Sequence, residues 1–257
     1  DVCSSDLARE LCTRRLPGGG FDSPRLAAAK LPQFVVPTTP STAFVKAGAA
    51  VHDDAGQRLA MMDPKTRARG VFIHPDFVRT APVELVREAA LNAFANAVEA
   101  LESPKCDPIS EAFLMQALRL IHQKLPLLAA SQGTGVREYL IVAAVLCGRG
   151  TEQGGAGLAS VLAHAIGKRS HTANGIVNAI VLPHTMQHNA SATAGRVGSI
   201  LEGMGARPGA SARQAVAEFL GSLDAPTRLR DIHVTQADLP EIADAAMLDW
   251  FISVRPM

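Results

Sequence analysis

The sequence predicts an α/β segment followed by an all-helical domain, class α/β + all-α, with the change of character near residue 82. Two observations carry this. Up to Pro82 the apolar residues come in short runs punctuated by Pro, Gly and Asp, the pattern of strands and turns. Beyond it, long stretches rich in Ala and Leu run at helical spacing. The domains are therefore residues 1–81 and 82–257, and no internal repeat is visible.

The chain opens on Asp1-Val2-Cys3-Ser4-Ser5-Asp6-Leu7, which shares no pattern with the residues after it. It can be written in codons as GATGTGTGCTCTTCCGATCT, the end of a commonly used sequencing adapter. Residues 1–7 are expected to be an assembly artefact of a gene that continues upstream, as the missing initiator Met also suggests; resequencing the locus tests this. Residues 8–32 hold a short helix-prone piece and then the breaker run Pro17-Gly18-Gly19-Gly20. A phosphate loop would need a preceding strand and a G-x-G-x-x-G or GK[ST] pattern, so a plain loop is the better reading. Gln33 to Val36 reads as a strand closed by Pro37. Phe44 to His52 and Arg58 to Met62 read as strands of a hairpin around Asp53-Asp54-Ala55-Gly56, and Val71 to Ile73 as a short strand before Pro75. Helical stretches are expected from Val83 to Leu101, Ile109 to Gln123, Val136 to Cys147, Leu158 to Ile166, Ile176 to His188 and Ala212 to Leu223.

Composition narrows the function classes. Hydrophobic residues make up 47% and charged residues 19% of the 257, the balance of a folded soluble protein. A net charge of +1, with one Trp and one Tyr, gives no electrostatic or stacking case for nucleic acid. Apolar runs such as Ile141 to Cys147 are too short to span a bilayer, and no basic stretch with an apolar core opens the chain. Cys3, Cys12, Cys106 and Cys147 lack zinc or CxxC spacing, and Cys147 reads as a buried free thiol. A reduced, cytoplasmic protein is expected.

Two helices carry paired polar residues. Asn92 and Asn96 lie one turn apart among Leu91, Phe94, Ala95 and Val98, which suggests either a polar pocket or a face with two solvated amides. Ser160 and His164 repeat that spacing in Gly157-LASVLAHAI-Gly167. A lone His on an apolar helix is more often a satisfied core residue than a ligand. The next helix along the chain carries Asn178, His184, His188 and Asn189.

At this point the residues resemble a known family. The stretch Gly157-LASVLAHAIGKRSHTANGIVNAIVLPHTMQHN-Ala190 resembles the signature of the iron-containing alcohol dehydrogenase superfamily, GxxHxxAHxxGxxxxxPHGxxNAxxLPHVMxxN. Leu91-NAFANAVEAL-Glu102 resembles that family's LDALAHAIEAY helix, and Val36-PTTPSTAF-Val45 its PTTAGTGSE cofactor loop. Asp249-WFISVRP-Met257 resembles its closing D…NPR. The resemblance runs from about residue 31 to the end. It implies the remnant of a nucleotide-binding α/β domain followed by an all-helical C-terminal domain, with the site between them. The front of the first domain, including the GGGS phosphate turn, is expected to be missing. The resemblance also implies NAD or NADP as cofactor, bound in part by Thr38, Thr39 and Thr42, and a small alcohol or carbonyl substrate. A homodimer is common in the family.

The departures from the pattern matter more. The family holds a divalent ion with an Asp and three His residues, and the matching positions here are Asn92, Asn96, Ser160 and Asn174, whereas the family's active-site His164 is kept. Amides and a hydroxyl are poor ligands for Fe²⁺ or Zn²⁺, so no tight metal is expected, and His171 alone would not hold an ion. In the cofactor loop Ala43, Phe44 and Val45 replace a glycine, serine and glutamate. The chemistry then expected is an NAD(P)-dependent interconversion of alcohol and carbonyl without metal, with Asn92, Asn96 and Asn174 as hydrogen-bond donors to the developing alkoxide and His164 supplying the proton. A maleylacetate-reductase-like reduction is one version, although the HHKxCH pattern of that branch is not reproduced. A non-catalytic binding protein with a dehydrogenase fold is the competing class.

Overall fold

The computed structural model describes residues 14–17, 21–24, 31–52, 58–130, 135–207, 209–223 and 225–249. The adapter-like residues 1–7, most of the helix-prone piece, the glycines 18–20, the turn at 53–56 and the closing residues 250–257 lie outside them.

Among the described residues, six short strands precede the helices. β1 (Arg14–Arg15) pairs antiparallel with β2 (Phe21–Asp22). Arg14 and Arg15 are thus strand residues rather than part of a helix, and Pro17 stands in a turn just beyond them. β3 (Phe34–Val35) runs parallel to β6 (Gly70–Val71). β4 (Gly48–His52) and β5 (Arg58–Met62) form the expected antiparallel hairpin in register Gly48↔Met62 to His52↔Arg58. The strand expected from Phe44 is shorter at its start: Ala43–Val45 is a 3-10 turn. Gly148 explains the difference, because a Cβ there would fall 2.3 Å from Val45 Cγ2 and 2.9 Å from the Thr42 carbonyl oxygen. The turn is moulded onto a helix, and that contact overrides the β preference of Phe and Val.

Nine helices are described, starting with the single turn α1 (Pro75–Val78). α2 (Val83–Glu102) is buried over most of its length, with Phe94, Leu91, Val86 and Val98 almost fully enclosed. It packs against α3 (Pro108–Lys124), α4 (Val136–Gly154) and α6 (Asn174–Thr193) and is the axis of the bundle. α5 (Leu158–Ser170) lies along α6, and α7 (Val197–Met204) along α3. α8 (Ala212–Gly221) sets Phe219 against Phe94, ring centroids 4.9 Å apart. α9 (Leu239–Met247) covers α5.

Local chemistry sets the ends. Asp107 caps α3 by accepting from the Ile109 and Ser110 N–H groups at 2.9 and 2.8 Å, with Pro108 in the first turn. α4 is bounded by Gly135 and Gly155, with φ of 72° and 73°, where glycine carries no steric penalty. The small faces at Gly154 and Gly175 let helices approach closely: a Cβ at Gly175 would lie 1.8 Å from the Glu88 carbonyl oxygen. That closeness brings the start of α6 onto the middle of α2. None of these helices, among the described residues, is long and apolar enough to cross a membrane.

Candidate functional site

The polar residues of α2 meet partners on two different neighbours. Asn92, half-buried, accepts through Oδ1 a hydrogen bond from Asn178 Nδ2 on α6 at 3.0 Å. Asn178 is 1% exposed, and its own Oδ1 is buried with no partner among the described residues. Turning both amides over exchanges which atom of Asn178 is left and does not remove the deficit. A buried amide with unmet hydrogen-bonding capacity is uncommon, and it marks this seam as polar by construction.

One turn further along α2, Asn96 and Glu99 face α5. Ser160 Oγ donates to Glu99 Oε2 at 2.5 Å, and the Ser160 N–H donates to Glu99 Oε1 at 3.2 Å. Ser160 Oγ also lies 3.2 Å from the side-chain oxygen position of Asn96. The hydroxyl has one hydrogen, which goes to the nearer carboxylate, so Asn96 is satisfied with its amide turned to let Nδ2 donate. Glu99 is only 3% exposed. It reaches the first turn of α5, where the N-cap residue Gly157 has no side chain to offer, and takes that role from a neighbouring helix. Gly157 is small for this reason: a Cβ there would fall 2.0 Å from Glu99 Oε1.

His164, one turn beyond Ser160, engages a residue from the far end of the chain. Its Nδ1 lies 2.8 Å from Asp249 Oδ2, with the two side chains 17% and 10% exposed. Arg169, further along α5, pairs with Asp238 just before α9 at 2.5 Å, so the C-terminal helix is fastened to α5 at both ends. Hydrogen bonds from the Thr235 backbone and hydroxyl, with the Arg169 guanidinium, hold the Asp238 carboxyl below its ordinary range.

The structure therefore joins Asn96 to Ser160 and places Asn92 beside them, one turn away on α2. Asn174 is exposed at the start of α6, with its Oδ1 close to Gly167, and forms a rim of the seam one turn before Asn178. His171 is exposed as well, in a left-handed conformation (φ 54°) that ends α5. Thr38 is exposed, Thr39 half-buried and Thr42 buried against α4 at Gly148. Among the described residues no group of three or more His, Cys, Asp or Glu side chains is placed to hold a metal ion. Cys147 is free and fully buried, donates to the Ala93 carbonyl at 3.2 Å, and has its pKa pushed up to about 12 by burial, which makes it inert as a nucleophile.

In the sequence Glu99 is not singled out, Asn178 stands only as one of four polar residues on its helix, and Asp249 only as the first residue of the closing motif. Glu99 had a signal, an acid one turn from Asn96 in an almost charge-free stretch, and Gly157 was its counterpart. Asn178 and Asp249 act across 86 and 85 residues of separation, which spacing cannot show.

Comparison with known proteins gives consistent results. A model of the Fe-containing alcohol dehydrogenase family, C-terminal, matches residues 87–256. Lactaldehyde reductase of Escherichia coli (strain K12) is 29% identical over 230 residues, covering 85% of this chain and 60% of its own length. Maleylacetate reductase of Rhizobium sp. (strain MTP-10005) is 28% identical over 255 residues, 96% of this chain and 70% of its own. The crystal structure of a 1,3-propanediol oxidoreductase superposes with a TM-score of 0.82 at 26% identity, covering 88% of this chain and 62% of that one. The chain spans about 60% of the length of the first curated relatives it matches.

Proposed function

The chain belongs to the Fe-containing alcohol dehydrogenase family, and from that premise we propose that the protein interconverts an alcohol and an aldehyde or ketone with NAD or NADP and without a catalytic metal. The observation that carries this is the hydrogen-bonded seam of Asn92, Asn96, Asn178, Ser160 and Glu99 beside His164. The family's ligand positions here offer amides and a hydroxyl, with Asn92 Oδ1 already accepting from Asn178 and the Ser160 hydroxyl donating to Glu99. Glu99, the carboxylate nearest them, accepts from both the N–H and the hydroxyl of Ser160. Such a set does not fit Fe²⁺ or Zn²⁺, which need imidazole, carboxylate or thiolate donors.

The nicotinamide, when bound, supplies or accepts the hydride. The exposed Thr38 and the half-buried Thr39 stand in the loop that would meet it, and Thr42 anchors that loop on α4. The chain's own part is charge and proton management. Asn92 and Asn96 carry amide hydrogens beyond those used in the seam, and Asn174 brings its amide at the rim. Donors of this kind, aimed where an alkoxide develops, do electrostatically what a Lewis acid does elsewhere, and losing one costs on the order of 3 kcal/mol of barrier. His164 takes the hydroxyl proton as alcohol becomes carbonyl and returns it in the reverse direction.

The experiment is NAD(P)H consumption by the full-length protein against aldehydes, ketones and oxo-acids, with and without a chelator. Turnover that survives the chelator supports the proposal. Turnover abolished by chelator and restored by Fe²⁺ or Zn²⁺ contradicts the metal-free part of it. No turnover of any substrate favours a binding protein. A second reading, reduction of an unsaturated oxo-acid such as maleylacetate, is favoured by the relative of that name that aligns over 96% of this chain. Preference for the oxo-acid members of the panel distinguishes it.

A further inference from the structure

We propose that Asp249 is the positioning residue for His164, and that the two form a dyad whose proton-exchanging atom is His164 Nε2; this rests on the oxidoreductase reading above. The geometry is specific to one ring nitrogen. Asp249 Oδ2 lies 2.8 Å from Nδ1, and both side chains are mostly withdrawn from water. The chain returns 85 residues later to make this contact. The contact is not needed merely to hold α9 down, because Arg169 and Asp238 already fasten the start of that helix to α5 at 2.5 Å.

The chemical consequence comes from what a carboxylate can do. It only accepts, so the neutral imidazole must carry its hydrogen on Nδ1 and present a lone pair at Nε2. In that tautomer Nε2 accepts the hydroxyl proton as the alcohol is oxidised by the nicotinamide. The imidazolium so formed stays paired with the Asp249 carboxylate until Nε2 returns the proton to water or, in reduction, to the carbonyl oxygen. Where other enzymes place a histidine against a carboxylate in this way, replacing the carboxylate by its amide keeps the shape but reverses the tautomer, because the amide donates to Nδ1. His164 follows Ser160 by one turn, so the two lie on the same face of α5.

The test uses full-length protein with ¹⁵N-labelled histidine, the His164 signals being assigned from their loss in His164→Gln. The wild type is expected to show Nδ1–H, and Asp249→Asn to show Nε2–H with a melting temperature close to the parent. Its kcat is expected to fall roughly 100- to 10,000-fold, with a much smaller change in KM. Asp249→Glu is expected to restore Nδ1–H and part of the turnover. Arg169→Ala, which loosens the other fastening of α9, is expected to keep kcat within a few-fold. A wild-type His164 with its hydrogen on Nε2 overturns the proposal, as does an Asp249→Asn enzyme with unchanged kcat or a loss that Arg169→Ala reproduces. The nitrogen measurement needs no substrate. Nδ1–H in a wild type that turns over nothing would therefore uphold the pairing and overturn the oxidoreductase reading instead.

Discussion

Replacing Gly175 with Ala strikes the seam between α2 and α6 where it is tightest. A Cβ there would lie 1.8 Å from the Glu88 carbonyl oxygen, 2.7 Å from its carbon and 3.1 Å from Asn92 N. All three are backbone atoms of a long, buried helix, so no side chain can swing aside. Ordinary contact begins at 3.4 Å, and α6 must therefore retreat by about 1.6 Å at its start. Overpacking of this kind costs about 1–3 kcal/mol. The retreat also opens the 3.0 Å hydrogen bond from Asn178 to Asn92, worth about 1 kcal/mol more. The sum, roughly 2–4 kcal/mol, lowers the melting temperature by about 5–15 °C in a chain of this size. Gly198→Ala is the control: it lies inside α7 with nothing within 4 Å of the new methyl, and should stabilise by about 0.5–1 kcal/mol. Differential scanning calorimetry of both variants decides the matter. If Gly175→Ala melts with the wild type, the close approach of α6 to α2 is wrong, and with it the geometry assigned to Asn92 and Asn178.

Three further perturbations probe neighbouring contacts. Glu99→Ala leaves the Ser160 N–H and hydroxyl buried without this acceptor and should cost about 2–4 kcal/mol in a denaturant titration, whereas a loss under about 0.5 kcal/mol would mean that Glu99 does not cap α5. Burial raises the Cys147 pKa to about 12, so the stability this thiol contributes is fully present below the unfolded thiol value of about 8.5 and is lost as pH rises from there towards 12. At about pH 8 iodoacetamide should modify Cys106 well before Cys147, and mass mapping that finds Cys147 alkylated first contradicts its burial. The depressed carboxyl of Asp238 contributes stability that is present above the ordinary carboxylate pKa of about 3.9 and is lost as pH falls through its lower folded value. Asp238→Asn should flatten the acid limb of the stability curve, and superimposable acid limbs would rule out the Thr235 and Arg169 contacts.

The helices were legible because apolar residues repeat along α2 to α6 at a period that only a helix satisfies. Their ends were less so: α4 runs on through Arg149 and Glu152 to Gly154, and α6 starts two residues before Ile176, since caps and tertiary packing, not periodicity, decide where a helix stops. α7 and α9, with eight and nine residues, are too short for a periodic pattern to stand out. In the site, the four-residue spacings gave Asn92 with Asn96 and Ser160 with His164, because residues one turn apart share a face. The spacing did not give what each faces. Glu99 looks like a solvated acid until Gly157, 58 positions later in the sequence, is seen folded over it. Asp249 is visible in the sequence only as the head of the closing motif, and its partner His164 emerges once α9 carries it back to α5. Such contacts are products of topology, and no local pattern encodes them.

The proposed dehydrogenase site works through amides, a hydroxyl and a histidine in place of a metal ion. Full-length protein, stripped by dialysis against a chelator and checked for iron and zinc by elemental analysis, should still oxidise NAD(P)H with an aldehyde or oxo-acid, and adding Fe²⁺ or Zn²⁺ should not raise the rate. A stripped protein without activity that regains it in proportion to added metal would contradict that claim.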